Sequence, residues 1–249
     1  MKSKSFDEIL RSVEGIDGWM SPDQARALFD AASGCRGEDQ IVEIGSFRGR
    51  STVVLASAAP VGVSVVAIDP HAGNDRGPQE LDGFVEQAQG DHEIFNANLA
   101  RAGVAERVRH VRAMSNEAHD QVRGGIAVLY IDGAHRYAPA LQDIREWGAR
   151  VVPGGTMLIH DSFSSVGVTA AIARELMFGS RFRYVGRARS MTIYRADLGS
   201  SIGARFMNMA RQKMQLLWFF KNVMLKVLLS AGLGKVLKRL GRPVPEWPY

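Results

Sequence analysis

Short apolar runs alternate along the chain with stretches whose apolar residues recur every three or four positions. The runs QIVEIG (40–45), VSVVAID (63–69), RVRHVRAM (107–114), AVLYID (127–132) and GTMLIHD (155–161) predict five strands. FRYVGRA (182–188) and MTIYRA (191–196) lie close together and predict an antiparallel pair. Helical patterns fall at 49–59, 79–102, 137–150 and 165–178. A further helix over 21–33 precedes the first strand, with Ser21 as N-cap and Pro22 at the first helical position.

Strands that are apolar nearly throughout, each followed by a helix, imply an α/β fold: a parallel sheet covered on both faces. Right-handed crossovers make such a sheet doubly wound. Ligands of doubly wound folds bind beyond the carboxyl ends of the strands. Those ends carry the chemistry-bearing residues here: Glu43 to Gly45, Asp69, Asp132, and His160 with Asp161. Two of the turns repeat one pattern. Asp132 is followed by His135, and Asp161 is preceded by His160.

The chain has 249 residues, enough for one α/β domain and an extension. Its formal charge of +5 is unevenly placed. Nine of the 31 Lys and Arg fall after Leu198, and no Asp or Glu precedes Glu246 there. The basic character therefore belongs to a tail, and the pI gives no argument for nucleic-acid binding by the whole chain. The single cysteine, Cys35, forbids an internal disulfide and suits a reducing compartment. The first fifteen residues lack an apolar signal core, and no 18-residue apolar run occurs, so a cytoplasmic location is expected. Three segments are expected: a helical cap segment (1–38), a catalytic domain (39–198) and a basic amphipathic helical extension (199–249).

The first strand leads into EIGSFRGRST (43–52). Gly45 and Gly49 let the backbone pass close to a ligand and turn into the next helix. Ser51 and Thr52 open that helix, whose free N–H groups suit an anionic or polar group. The spacing E-x-G-x-x-x-G differs from the G-x-G-x-x-G fingerprint of pyrophosphate cofactors, so a nicotinamide dehydrogenase is a distant reading. A tight turn without ligand is the bland alternative. Asp69 ends the second strand, where an acid accepts hydrogen bonds from ribose hydroxyls. Its bland alternative is a turn Asp before Pro70. The two features together favour a nucleoside site.

IVEIGSFRGRSTVVLA resembles the first motif of class I S-adenosylmethionine-dependent methyltransferases, and VVAIDPHAG resembles their second. YIDGAHRYAPALQDIREWGARVVPGGTMLIHD is similar to a block in bacterial metal-dependent O-methyltransferases of sugars and small molecules, methylmannose polysaccharide enzymes among them. GIDGWMS (15–21) resembles the N-terminal cap of that subgroup, so the resemblance spans roughly 15–196. It implies a Rossmann-like, seven-stranded sheet with an antiparallel last strand, and S-adenosyl-L-methionine as methyl donor. Carried over by position, Gly45 with Glu43, Ser46 and Gly49 holds the methionine end. Ser51 contacts the methionine carboxylate, Asp69 the ribose and Ser115 the adenine, while Asp132 borders the donor and Ile16 closes over it.

The fourth and fifth strands are neighbours in that fold, so Asp132 and the His160–Asp161 pair are expected to meet. Two facing carboxylates repel, and a divalent cation between them relieves this. The expectation is Mg²⁺, with Mn²⁺ or Ca²⁺ as substitutes, held by Asp132, His160 and Asp161. Relatives with two acids on the fifth strand differ from the His-Asp found here. His160 is therefore either a ligand or a group that orients Asp161. The metal would lower the pKa of an acceptor hydroxyl, with His135 as general base and Tyr137 shaping the acceptor pocket.

The stretch 207–249 reads as a helix with a broad apolar face and a narrow polar stripe of Gln215, Asn222 and Lys226. Packing on the domain or on a partner subunit of a homodimer is the first expectation. Peripheral contact with an anionic membrane is the second, and a lid for an extended acceptor the third. No nucleic acid partner is expected. The acceptor is read as a small molecule or a saccharide hydroxyl. A hydroxylase on the same scaffold and a non-catalytic, membrane-associated binding protein are the rival readings.

Overall fold

The computed structural model describes residues 4–73, 85–199 and 201–230. Its centre is a seven-stranded sheet in the order β3-β2-β1-β4-β5-β7-β6. The strands are β1 (Gln40–Ile44), β2 (Ser64–Ile68), β3 (Val108–Val111), β4 (Ile126–Ile131), β5 (Val151–Ile159), β6 (Arg183–Ala188) and β7 (Met191–Arg195). The first five run parallel, and β7 is antiparallel to both β5 and β6. This is the doubly wound sheet with an antiparallel last strand that the alternation and the resemblance imply.

Helices cover both faces of the sheet. On one side α1 (Phe6–Ser12), α2 (Pro22–Ser33), α3 (Arg50–Ala58) and α4 (Val85–Ala102) enclose a core around Leu28, Ile41, Leu55 and Phe95. On the other, α5 (Tyr137–Glu146) and α6 (Val166–Ile172) cover Leu129, Trp147, Met157 and Ile159. Alternate residues of each strand feed the two cores, because successive side chains point to opposite faces. Val42 and Ile44 go to one core and Ile41 to the other.

Several elements differ from the sequence reading. α5 ends at Glu146 and passes into a 3₁₀ turn at Gly148–Arg150. α6 continues as a π-helical turn over Ala173–Met177. β5 begins at Val151, four residues before the apolar run. α1 goes unpredicted, although it carries a full capping box: Ser5 and Glu8 satisfy each other's backbone N–H. Residues 79–84 of the expected fourth helix, and 231–249 of the tail, lie outside the described residues.

The tail forms α7 (Ile202–Ser230) with an orientation the sequence reading did not anticipate. Three of its amide side chains, Asn208, Gln212 and Asn222, face the domain. Asn208 accepts from the Tyr184 N–H at 2.7 Å and donates to the Phe182 carbonyl at 3.1 Å, satisfying the edge strand β6. Gln212 accepts from the Tyr194 hydroxyl at 3.1 Å and donates to the Leu176 carbonyl. Asn222 donates to the Phe163 carbonyl at 3.4 Å. Leu216 and Phe219 pack inward beside them. No described helix is long and apolar enough to cross a membrane.

Candidate active site

Three adjacent strands stop level with one another. The Gly45 N–H donates to the Ile68 carbonyl, the Asp132 N–H to Ile44, and the His160 N–H to Ile131, all at 2.8–2.9 Å. That register brings the ends of β1, β2, β4 and β5 to one edge, where a cavity of about 1020 Å³ opens. Gly45, Ser46, Ser51, Asp69, Ser115, Asp132, His135, His160 and Asp161 all line it.

The glycine loop is shaped by close approach. Gly45 has φ +84°, and a Cβ there would lie 2.1 Å from the Asp132 carbonyl oxygen. Only glycine fits both the dihedral and the gap. Asp69 secures the loop from the side: its Oδ2 accepts from the Ser46 and Phe47 N–H groups at 2.8 and 2.9 Å, and its Oδ1 from the His71 N–H at 2.9 Å. Under the loop lies Glu43, fully buried and held by the Ser51 and Thr52 hydroxyls. Burial raises its pKa to about 8, against the two hydroxyls, with the Asp132 and Asp69 charges adding to the rise.

The paired turns do converge. His135 Nε2 lies 3.0 Å from Asp161 Oδ2. His160 Nδ1 lies 3.1 Å from Asp132 Oδ1 and 3.5 Å from Asp161 Oδ2. The Tyr130 hydroxyl donates to Asp132 Oδ2 at 2.8 Å. Asp161 and Phe163 have φ of 50° and 55°, a conformation rare for residues with side chains, so the turn after β5 is strained where it presents these groups. Burial acts to raise the Asp161 pKa, but His160 and His135 outweigh it and hold the carboxyl well below its ordinary range.

A cation was the sequence-based answer to the facing carboxylates. The structure places the His160 ring beside both carboxylates. Its far nitrogen, Nε2, is 3.1 Å from the Gln24 amide nitrogen. That amide cannot turn over, because its oxygen accepts the Ser21 N–H at 2.7 Å within the α2 capping box and its nitrogen also donates to the Ser190 hydroxyl. An NH₂ group facing Nε2 requires a bare nitrogen there, which puts the ring proton on Nδ1. Burial disfavours a charged ring, yet the Asp132 and Asp161 carboxylates outweigh it and raise the imidazole pKa well above its usual value. The Gln24 amide opposes that second proton. Both influences leave Nδ1 protonated, and a protonated nitrogen does not ligate a metal. Among the described residues no group of three or more His, Cys, Asp and Glu is arranged to hold a metal ion. His160 as it stands is thus a donor to the carboxylates and not a ligand, whereas Asp161 Oδ1 is buried without a hydrogen-bond partner, so Asp132 and Asp161 are the groups that would face a cation.

Other expected residues lie elsewhere. Glu43 and Gly49 do not line the cavity: Glu43 supports the loop from below, and Gly49 caps α3 with φ +84° against Phe95. Ile16 is packed in the core, and its successors Asp17, Gly18, Trp19 and Met20 line the cavity in its place. Tyr137 is half-exposed at the start of α5, outside the lining. Ser51 turns its hydroxyl to Glu43 and Ser115 donates its own to Asp143 at 2.6 Å. Burial raises the Asp143 pKa to about 6, although the Ser115 hydrogen bond acts to lower it.

Some functional candidates escaped the sequence reading. Trp19 and Phe47, both in the cavity wall, pack against each other with ring centroids 5.4 Å apart. Arg48 binds Asp17 and Asp91, and Arg50 donates to the Gly18 carbonyl at 2.9 Å, so both tie the cap segment to the glycine loop. The Arg50 Nε is buried in the cavity wall with no hydrogen-bond partner. Arg48 and Arg50 sit inside the quoted loop motif and could have been found there. Gln24 carried no such local signal.

Residues 42–162 match a family model described as a methyltransferase domain. The chain is also similar in fold to solved structures. The O-methyltransferase from Bacillus cereus in complex with SAH is 16% identical, with a TM-score of 0.52 over 79% of this chain and 93% of that one. The O-methyltransferase TomG from Streptomyces achromogenes, in complex with SAM, is 17% identical, with a TM-score of 0.51 over 79% and 92%. The O-methyltransferase NovP is 16% identical, with a TM-score of 0.58 over 71% and 81%. The matched segment runs from β1 to the turn after β5 and holds the strand-end residues just described, so residues 42–162 of this chain form a methyltransferase domain.

Proposed function

We propose that this chain transfers a methyl group from S-adenosylmethionine to an oxygen, the hydroxyl of a saccharide or a glycosylated natural product. One observation carries the reading: the His135–Asp161 pair, 3.0 Å apart, shares a cavity with the glycine loop and Asp69. Donor and base would then sit at one sheet edge.

The donor's amino-acid end would lie along Gly45 and Ser46, its carboxylate toward the unpartnered Arg50 Nε and the N-terminus of α3. Asp69 would receive the ribose hydroxyls, and Ser115 would border the adenine. Asp132 lies at the junction of donor and base. Asp161 orients His135 as a carboxylate orients the histidine of a hydrolase triad. With the Nε2 proton donated to Asp161, Nδ1 is the basic nitrogen. The acceptor O–H loses its proton to that nitrogen as its oxygen forms the bond to the methyl carbon. The carbon–sulfur bond breaks, and the sulfonium becomes a neutral thioether. No step passes through a metal.

The saccharide acceptor rests on the I-D-G-x-H-x-Y block quoted from the sequence and on a cavity large enough for donor and acceptor together. The test is transfer of labelled methyl from S-adenosylmethionine to a panel of free and glycosidic sugars. Label on a sugar oxygen, with one equivalent of demethylated donor formed, supports the reading. Donor that binds but never loses its methyl to any hydroxyl contradicts it.

A further inference from the structure

α7 is turned inside out for a surface helix. Its hydrogen-bonding side chains, Asn208, Gln212 and Asn222, are buried against the domain. Leu216 and Phe219 pack inward beside them, but most of its other large apolar side chains face away. Phe206, Met214, Leu217, Phe220, Met224 and Val227 are each more than half exposed. From Met214 to Val227 they recur in three- and four-residue steps, and Phe206 lies two turns earlier on the same face, along a helix about 44 Å long. Scattered apolar residues on a surface need no explanation, but a stripe of this length does.

Charge tells what covers it. Lys213 stands four residues before Leu217 and Lys221 four after, so both lie on the outward face, and both are exposed. Arg205 and Arg211 flank the stripe. The helix contains no Asp or Glu. Pairing two copies of this face would press lysines against lysines with no carboxylate on either helix to neutralise them. An anionic lipid surface supplies what a second copy lacks: hydrocarbon for the Phe, Leu and Met side chains, and phosphates for the cations. The sequence beyond α7 adds Lys235, Lys238, Arg239 and Arg242.

The same helix borders the active-site cavity. Val223 and Val227, at the edge of the stripe, belong to the cavity lining together with Ser164, Ser165 and Val166. Asn222, one residue away, is bonded to Phe163 in the strained turn after Asp161. A helix lying on a bilayer at this position sets the cavity mouth at the lipid surface.

We propose that α7 docks the enzyme on an anionic membrane with the cavity mouth facing the bilayer, so that the methylated hydroxyl belongs to a membrane amphiphile such as a glycolipid. The acceptor class rests on the methyltransferase reading above, whereas the docking surface does not.

The test uses the full chain with vesicles of equimolar phosphatidylglycerol and phosphatidylcholine, and with vesicles of phosphatidylcholine alone. Cosedimentation is expected with the anionic vesicles only. Lys213→Gln with Lys221→Gln weakens it about thirtyfold, and Leu217→Asp with Phe220→Asp abolishes it. Calorimetric titration of S-adenosylmethionine into the Leu217→Asp, Phe220→Asp variant separates loss of docking from loss of fold, since donor binding survives the first. The one native cysteine, Cys35, is buried, so single cysteines can be labelled selectively. A fluorophore at Val227→Cys is quenched by brominated lipid, whereas one at Val61→Cys, in the exposed turn before β2, is not. Equal binding to neutral vesicles, or none, overturns the docking surface. So does a doubled mass in solution that the Leu217→Asp, Phe220→Asp variant loses, which would identify a second copy as the occupant. Docking with equal quenching at both labels overturns the membrane acceptor alone. Docking without donor binding by the native chain overturns the methyltransferase reading and leaves the surface standing.

Discussion

The amide nitrogen of Gln24, on the second helix, stands 3.1 Å from Nε2 of His160, at the end of the fifth strand and 136 residues away. The contact fixes which ring nitrogen carries the proton, and through it what the two carboxylates beyond can do. Gln24→Glu replaces the facing donor with an acceptor and favours a doubly protonated ring. Nitrogen NMR of His160 is expected to show a protonated Nδ1 in both chains, and a second proton on Nε2 that persists to higher pH in the variant than in the native chain. Gln24→Leu leaves a buried acceptor unpaired and costs about 1–3 kcal/mol in urea unfolding. A bare Nδ1 in the native chain would contradict the arrangement and reopen the site to a metal.

The same tautomer bears on metal dependence. With Nδ1 protonated, exhaustive chelation is expected to leave methyl transfer within about twofold of the untreated enzyme, and added Mg²⁺ to release no binding heat. Loss of activity on chelation that Mg²⁺ restores would show that the His160 ring swings out to admit the ion.

Glu43 makes a pH signature. Its pKa is about 8 in the folded chain against an ordinary 4.5, with burial as the leading cause. The folded state therefore holds this proton more tightly than the unfolded state. Stability from this group is greatest below pH 4.5 and falls as pH rises toward 8. Glu43→Gln keeps a hydrogen-bonding side chain without the ionisation. The difference in unfolding free energy between variant and native chain is expected to grow in the variant's favour across that window. A difference that stays constant with pH would contradict the assignment.

His135 and Asp161 act as a unit in the proposed chemistry. His135→Ala is expected to lower kcat by a factor of about 10²–10⁴ while leaving donor affinity within a few fold. Asp161→Asn should fall in the same range, and the double variant should be little worse than either alone. Additive losses would place the two residues in separate roles.

Much of this arrangement could be read from the chain before any coordinates. The strand-end acids and histidines were visible because each follows a short apolar run, and parallel strands in register bring such ends together. Gly45 was visible because its loop needs a residue without Cβ. What stayed hidden depends on contacts between distant segments. Nothing near Gln24 in sequence points to His160, and its capping-box position explains the residue fully at the local level. The orientation of α7 was hidden for a related reason. Periodicity located a polar stripe of Gln215, Asn222 and Lys226, but the side chains drawn inward beside Asn222 are Asn208 and Gln212, which meet the edge of β6 and the Tyr194 hydroxyl. The cation expected between Asp132 and Asp161 followed from counting carboxylates. Counting alone could not show that the His160 ring lies within 3.1 Å of one carboxylate and 3.5 Å of the other.

The central claim is that the cavity at the strand ends holds S-adenosylmethionine. The most direct measurement is calorimetric titration of S-adenosylmethionine and its demethylated product into the native chain and into Gly45→Val and Asp69→Ala. Micromolar binding of both ligands by the native chain, lost by tenfold or more in each variant while far-UV circular dichroism is kept, is the predicted result. Absence of binding to the native chain, or binding untouched in both variants, would contradict the account.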